Sequence, residues 1–208
     1  MEIGVGTGGT RRPFAAFGID GEHLVSRFTE GLELMKALWT RDSVDFDGRF
    51  WQLSGAAMRP KPFQKPYPPL WFGGSAPAAP RRSVRLGDGF FGAGSTTTAK
   101  FAEQVRVVRE EAAARGREGF RIAKRVYIAV ADDVAAAQTR MSDALDSVYD
   151  GFGLADLMAV TVVGTPEDCI AGLREVAAAG AEMILLTCLF DQREQMERLA
   201  AQVLPAFA

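Results

Sequence analysis

Three small-residue turns are the places in this sequence where chemistry could be done. Gly6-Thr7-Gly8-Gly9, Gly73-Gly74-Ser75 and Gly92-Ala93-Gly94-Ser95 each close a short strand-like run. Glycines at strand ends let backbone N–H groups approach an anion closely, and a following helix N-terminus adds partial positive charge. The chemistry on offer is therefore the holding of a phosphate. Tight strand-to-helix turns also need glycine for backbone reasons alone, with no ligand involved. From the turns by themselves both readings stand. Other chemistries find little support. His23, the only histidine, has no acid or nucleophile motif beside it and reads as an exposed or capping residue. Cys169 and Cys188 are far apart and lack a metal-ligand spacing, so no metal site is expected.

The elements that must position these turns follow from the flanking pattern. Leu70-Trp71-Phe72 stops at Gly73, a helix-length segment runs from Pro77 to Leu86, and Gly89-Phe90-Phe91 leads into Gly92. This order predicts a parallel βαβ unit with a small-residue loop after each strand. Upstream, Met1 to Gly6 predicts a strand. Leu24, Phe28, Leu32, Met35 and Leu38-Trp39 fall at helical spacing and predict one buried helix face. Ser43 to Leu53 alternates around Asp47-Gly48 and predicts a hairpin with a two-residue turn, inserted as a flap. Its Phe50 and Trp51 either cover a pocket or pack on the scaffold. Five prolines between Ala56 and Pro69 keep the next stretch extended.

Downstream the alternation continues. Thr97 or Thr98 caps a helix that reaches Arg115 and ends at Gly116. Arg125 to Val130 predicts a strand, and Asp132 or Asp133 opens a helix toward Tyr149. Leu154 to Val163 reads equally as helix followed by strand or as loop. Thr165-Pro166-Glu167-Asp168 is a capping-box helix start, with Gly180 as the residue after the helix. Met183 to Thr187 predicts a buried strand, and Gln192 to Leu204 a last helix.

Composition sets the bounds. With 208 residues, 48% hydrophobic and 24% charged, one ordinary globular domain is expected. A formal net charge of −2 leaves no electrostatic footprint for nucleic acid or an anionic membrane. The pairs Arg11-Arg12 and Arg81-Arg82 are local. No apolar run reaches about 18 residues and no signal peptide is visible, so the expected location is the cytoplasm.

The succession GVGTGG, FGID, RFTEGLELMKALWT, VDFDGRFWQL, RPKPFQKPYPPLWFGGSA, LGDGF and VGTPED to LREVAAAGAEMILL resembles the luciferase-like monooxygenase family. These are the bacterial-luciferase-like flavin and deazaflavin oxidoreductases. The resemblance spans nearly the whole chain and is most specific in the PKP-x-Q-x-P-x-PP-L-W-x-GG run. It implies an α/β fold, a TIM-type (β/α)8 barrel with an inserted hairpin near 43–53. It also implies FMN or coenzyme F420 at the C-terminal strand ends. Gly73, Gly74 and Ser75 match loop positions near the cofactor phosphate, and Gly92, Ala93, Gly94 and Ser95 match the neighbouring turn. Gly6, Thr7 and Gly8 match a strand end close to the ring and ribityl chain.

Two departures limit what is carried over. Relative to the family pattern, the chain enters near the fourth barrel strand, and such a barrel takes about 250 residues. The family's usual catalytic histidine belongs to the part not represented here, so no catalytic residue is named. Gly9 stands where family members have glutamate or tryptophan. An incomplete barrel is expected to leave two parallel strand edges unpaired and an apolar interior open to a second copy or partner chain. The resemblance implies a flavin- or F420-dependent oxidoreductase acting on a small organic substrate, with a reductase where reduced flavin is needed. The alternatives are a non-catalytic flavin-binding or subunit-interaction protein, or an inactive fragment.

Overall fold

The computed structural model describes residues 1–8, 17–18, 21–150 and 156–207. Gly9, Arg11-Arg12 and Leu154, which the sequence reading used, lie outside them. The alternating pattern becomes a parallel sheet. Strand β1 (Ile3–Val5) pairs with β4 (Leu70–Gly74), β4 with β5 (Gly89–Gly92), and β5 with the long β6 (Arg121–Val130). Beyond β6 lie β7 (Thr161–Gly164), on Tyr127 to Val130, and β8 (Met183–Thr187), on Ala123 to Tyr127. Strands β2 (Val44–Asp47) and β3 (Gln52–Ala56) form the separate antiparallel hairpin.

The helices are α1 (Leu24–Thr40), α2 (Ala79–Leu86), α3 (Thr98–Ala114), α4 (Val134–Val148), α5 (Pro166–Ala178) and α6 (Gln192–Arg198). Their starts follow local chemistry. Thr97 accepts the Lys100 N–H, Asp133 accepts that of Ala136, and Thr165 and Asp168 complete a reciprocal capping box. Gly180, at φ +105°, follows α5 as expected. Two boundaries differ from the sequence reading. Strand β6 starts four residues earlier, at Arg121, because its first half pairs with β5. The final helix relaxes after Arg198 into wider and then tighter turns through Phe207.

Strand alternation sorts the sheet into two faces. Leu70, Phe72, Phe90, Ile122, Val126, Ile128 and Val130 are buried in the layer between sheet and helices, against Leu32, Phe101, Val108, Leu173 and Leu199. Each such side chain contributes about 2 kcal/mol by leaving water. The other face, the inner wall of a half-barrel, carries Trp71, Phe91, Arg125 and the alternate residues of β8. β8 is not the buried strand that its apolar sequence predicts, since Met183 is 37% and Leu185 50% exposed. Among the described residues β8 pairs only with β6, and its inner face is uncovered. The α/β half-barrel with an added hairpin is the architecture the resemblance implied.

The hairpin turn also differs. Asp47 pairs with Gln52 and the Gly48 N–H donates to the Trp51 carbonyl at 2.9 Å, so the chain reverses at Arg49-Phe50, two residues beyond the Asp47-Gly48 turn that the sequence suggests. The cause lies in α1, where the Glu30 carboxylate accepts the backbone N–H groups of Arg49, Phe50 and Trp51 at 3.0, 2.8 and 3.1 Å. A Cβ at Gly48 would collide with that carboxylate. Among the described residues no helix is long and apolar enough to cross a membrane.

Candidate functional site

Two of the three turns meet. The ends of β4 and β5 are in register, Gly73 opposite Phe91 and Gly74 opposite Gly92. The turns that follow therefore rise side by side at the C-terminal edge of the sheet. A cleft of about 440 Å³ opens there, lined by Gly73, Gly74, Gly92, Ala93, Gly94 and Ser95. Gly4 and Val5 of β1, Trp71, Phe91, Arg125 and Tyr149 complete its walls. The other candidates that the sequence suggested separate from it. Ser75, Gly6 and Gly8 do not line the cleft. Thr7 faces a different, apolar pocket between β1, α1 and Trp51.

The glycines of the cleft have individual reasons. Gly74 sits at φ +154°, where a side chain would be strained, and an added Cβ would meet Ala79 at 2.8 Å. At Gly92 and Gly94 the constraint is packing, since a Cβ would strike Phe101 in one case and the Tyr127 ring in the other. Gly73 is unlike these. Its nearest neighbour on the side-chain direction is the Phe91 carbonyl at 3.7 Å, which leaves the backbone open to close approach.

Trp71 and Phe91 form an aromatic floor, with ring centroids 6.0 Å apart in an edge-on arrangement. Below it the Trp71 Nε1 donates to Glu2 at 2.8 Å, and the Arg121 guanidinium stacks 4.8 Å over the indole. The hydrogen bond from Arg121 holds the Glu2 carboxyl below its ordinary range.

Arg125 is the cleft's cation. Its Nε donates to the Thr187 hydroxyl of β8 at 3.2 Å, and its guanidinium lies 4.8 Å over the Tyr127 ring. No carboxylate pairs with it among the described residues, and its side chain lines the cleft. Tyr127 is fully buried, and its hydroxyl is 2.8 Å from that of Tyr149. Burial, then the Tyr149 hydrogen bond, raises the Tyr127 pKa well above the usual phenol range, so its hydroxyl stays neutral at physiological pH. Behind the Gly92–Ser95 turn, Lys124 is 2% exposed and donates to the Ala93 and Arg125 carbonyls at 2.8 and 3.0 Å. Thr96, which is also buried, has an Oγ1 without a partner among the described residues.

Arg125, Tyr149, Lys124 and Thr96 were missed by the sequence reading. One signal was present for Lys124. It falls in the series Ile122, Lys124, Val126, Ile128, Val130, and a lysine inside an apolar strand face needs a partner. His23 takes the N-cap position of α1 without a side-chain capping bond, and its Nε2 instead lies 2.7 Å from an Arg49 guanidinium nitrogen at the hairpin tip. Trp51 packs on Gly31 of α1, away from the glycine cleft.

The arrangement suits an oxyanion bearing a flat ring system. Glycine turns at two strand ends and a guanidinium without a carboxylate partner among the described residues supply donors, and the aromatic floor supplies a surface. No cluster of His, Cys, Asp or Glu able to hold a metal occurs among the described residues.

Comparison with known proteins gives a consistent result. The profile of the luciferase-like monooxygenase family matches residues 1–157. An FMNH2-dependent dimethylsulfone monooxygenase of Pseudomonas putida is 25% identical over 99% of this chain, which spans 65% of that relative. Among solved structures, the monooxygenase RslO1 of Streptomyces bottropensis superposes with a TM-score of 0.84 at 22% identity, over 100% of this chain and 69% of that one. An F420-dependent secondary alcohol dehydrogenase in complex with an F420-acetone adduct superposes at 0.82 and 18% identity, with the same coverage.

Proposed function

This chain belongs to the luciferase-like monooxygenase family, and on that premise we propose that its glycine cleft holds the phosphate-bearing part of FMN or coenzyme F420. The observation that carries the reading is the convergence of the Gly73–Gly74 and Gly92–Ser95 turns on Arg125, a cation with no carboxylate partner among the described residues. The relatives point the same way: one is FMNH2-dependent and another F420-dependent.

The residues divide the work by position. Gly73, Gly74, Gly92, Ala93, Gly94 and Ser95 present backbone donors to the phosphate, and Arg125 neutralises its charge through a fork held by Thr187. Trp71 and Phe91 support a planar ring and exclude water from one of its faces. A bound flavin or deazaflavin supplies hydride transfer, or oxygen activation after reduction by a partner reductase. The substrate class is a small organic molecule, and the reaction an oxidoreduction. Gly6, Thr7, Gly8 and Ser75 do not line the cleft and are given no phosphate contact.

A second reading is favoured by one observation, the exposed Met183 and Leu185 on the inner face of β8. A flavin-binding or subunit-interaction protein would use that wall to seat a second copy or a partner chain, without catalysis of its own.

The deciding experiment is a fluorescence titration of the full chain with FMN, riboflavin and F420. FMN or F420 bound at micromolar strength, with riboflavin at least about tenfold weaker than FMN, supports the phosphate site. FMN binding no tighter than riboflavin overturns it. Turnover of reduced cofactor with a panel of small organic substrates separates the enzyme from the non-catalytic reading.

A further inference from the structure

Lys124 is an unusual residue to find where it is. A lysine ammonium loses several hydrogen bonds to water on burial, and strands hide such a group only beside a carboxylate or a set of carbonyls. Here the side chain runs on the helix side of the sheet, beneath Gly92, whose added Cβ would come within 3.0 Å of the lysine Cδ. The ammonium lies 5.7 Å from the centre of the Phe101 ring. It donates to the Ala93 carbonyl at 2.8 Å and to its neighbour's, Arg125, at 3.0 Å.

No charge opposes it. The groups packed around it are the Phe101 ring of α3, Gly92 of β5 and, in register on β8, Ile184. Lys100 and Glu103 of α3 are exposed, Arg125 projects from the opposite face of its strand, and no described carboxylate pairs with the ammonium. Desolvation brings its pKa down to about 8.

The consequence falls on the turn. The Ala93 carbonyl accepts both from Lys124 and from the Thr96 N–H at 3.2 Å, so both lone pairs are engaged and the Ala93–Gly94 peptide plane is fixed. In a trans peptide the N–H points opposite to the C=O. With the carbonyl held toward the helix layer, the Gly94 N–H is turned away from Lys124, to the side where Gly94 and Ser95 line the cleft.

We infer that Lys124 is the positioning residue of the anion-binding turn, fixing the Gly92–Ser95 backbone from behind and lending its charge to a phosphate bound in front. The inference rests on the reading of the cleft as a cofactor-phosphate site. It adds a pH dependence to that site. An anion in front of the turn stabilises the charged lysine, so ligand binding and proton binding at Lys124 reinforce each other.

The test compares FMN with riboflavin, which lacks the phosphate, on the full chain and its Lys124→Met variant. If the chain takes F420, the pair becomes F420 and its phosphate-free chromophore. The wild type is expected to prefer FMN at about pH 7, and to lose several-fold of that preference by about pH 9. In Lys124→Met, FMN affinity falls about tenfold, riboflavin affinity stays within about twofold, and the preference no longer varies with pH over this range. A variant that keeps the wild-type preference and pH profile overturns the role of Lys124 while leaving the site intact. A wild type without any preference for FMN overturns the site itself. Should the variant not fold, calorimetry of the wild type at about pH 8.5 in buffers of different ionisation enthalpy decides. Proton uptake on binding FMN but not riboflavin supports the inference, and equal uptake overturns it.

Discussion

Arg125 and Thr187 are joined across the β6–β8 pair, the arginine Nε donating to the threonine hydroxyl at 3.2 Å. The bond occupies one edge of the guanidinium of a residue that lines the cleft, with the Tyr127 ring beneath at 4.8 Å. A residue of the last strand thereby aims a residue of β6 at turns that follow β4 and β5. Charge-assisted hydrogen bonds of this kind contribute about 1.5–3 kcal/mol. Arg125→Met should weaken FMN roughly 10- to 100-fold and leave riboflavin unchanged, whereas Thr187→Val should weaken FMN only about threefold. Fluorescence titration of both ligands reads the difference. Equal losses for FMN and riboflavin would remove Arg125 from the phosphate.

Glu30 fastens the hairpin tip to α1 through three backbone N–H groups. Glu30→Ala leaves those donors to water and releases the tip. The expected loss is about 2 kcal/mol in urea unfolding, with faster amide exchange at Arg49, Phe50 and Trp51. Unchanged exchange at those amides would show that the tip is held by Trp51 packing alone.

Thr165 and Asp168 cap α5 reciprocally, and the helix packs Cys169, Leu173 and Val176 into the outer core. Thr165→Ala should cost about 1 kcal/mol, a decrease in Tm of about 2–4 °C for a chain of this size. Cofactor affinity should not move, because α5 does not line the cleft.

Lys124 places function and stability in opposition. Its folded pKa, about 8, lies below the ordinary value of 10.5. Between these values the unfolded chain binds more protons than the folded one, so stability should rise as pH climbs from about 8 to about 10.5. Lys124→Met removes the buried charge while keeping much of the volume. At about pH 7 it should be more stable than the wild type by on the order of 1–2 kcal/mol, with the gain shrinking as pH rises above about 8. Urea midpoints across this range check the sign.

Leu185 tests the open wall. It is half exposed on the inner face of β8 and anchors no core cluster. Leu185→Lys should leave stability within about 0.5 kcal/mol and abolish any concentration-dependent association seen by sedimentation. Association that survives the substitution would place the contact elsewhere.

The sequence by itself determined the elements and their order, because their signals are local. The Thr165–Asp168 box closes within one helical turn, Gly180 follows its helix by the rule for helix ends, and each glycine turn is written next to the strand it ends. Two of those turns, Gly73–Gly74 and Gly92–Ser95, were therefore legible as one region. What only the tertiary structure decided is which distant residues complete it. Arg125 meets Thr187 across 62 positions, and Lys124 reaches the Ala93 carbonyl across 31. Tyr149 reaches the cleft from beyond the end of α4, while Thr7 and Ser75 do not line it. Strand register sets these meetings, and it sends adjacent residues to opposite faces, Arg125 to the cleft and Lys124 behind it. The same holds for the hairpin, where Asp47-Gly48 favours a turn of its own and the Glu30 carboxylate, from another element, holds the reversal two residues further on, at Arg49-Phe50. A local pattern encodes the bonds a segment makes with itself. Bonds made across the sheet depend on the sum of packing that brings the strands together.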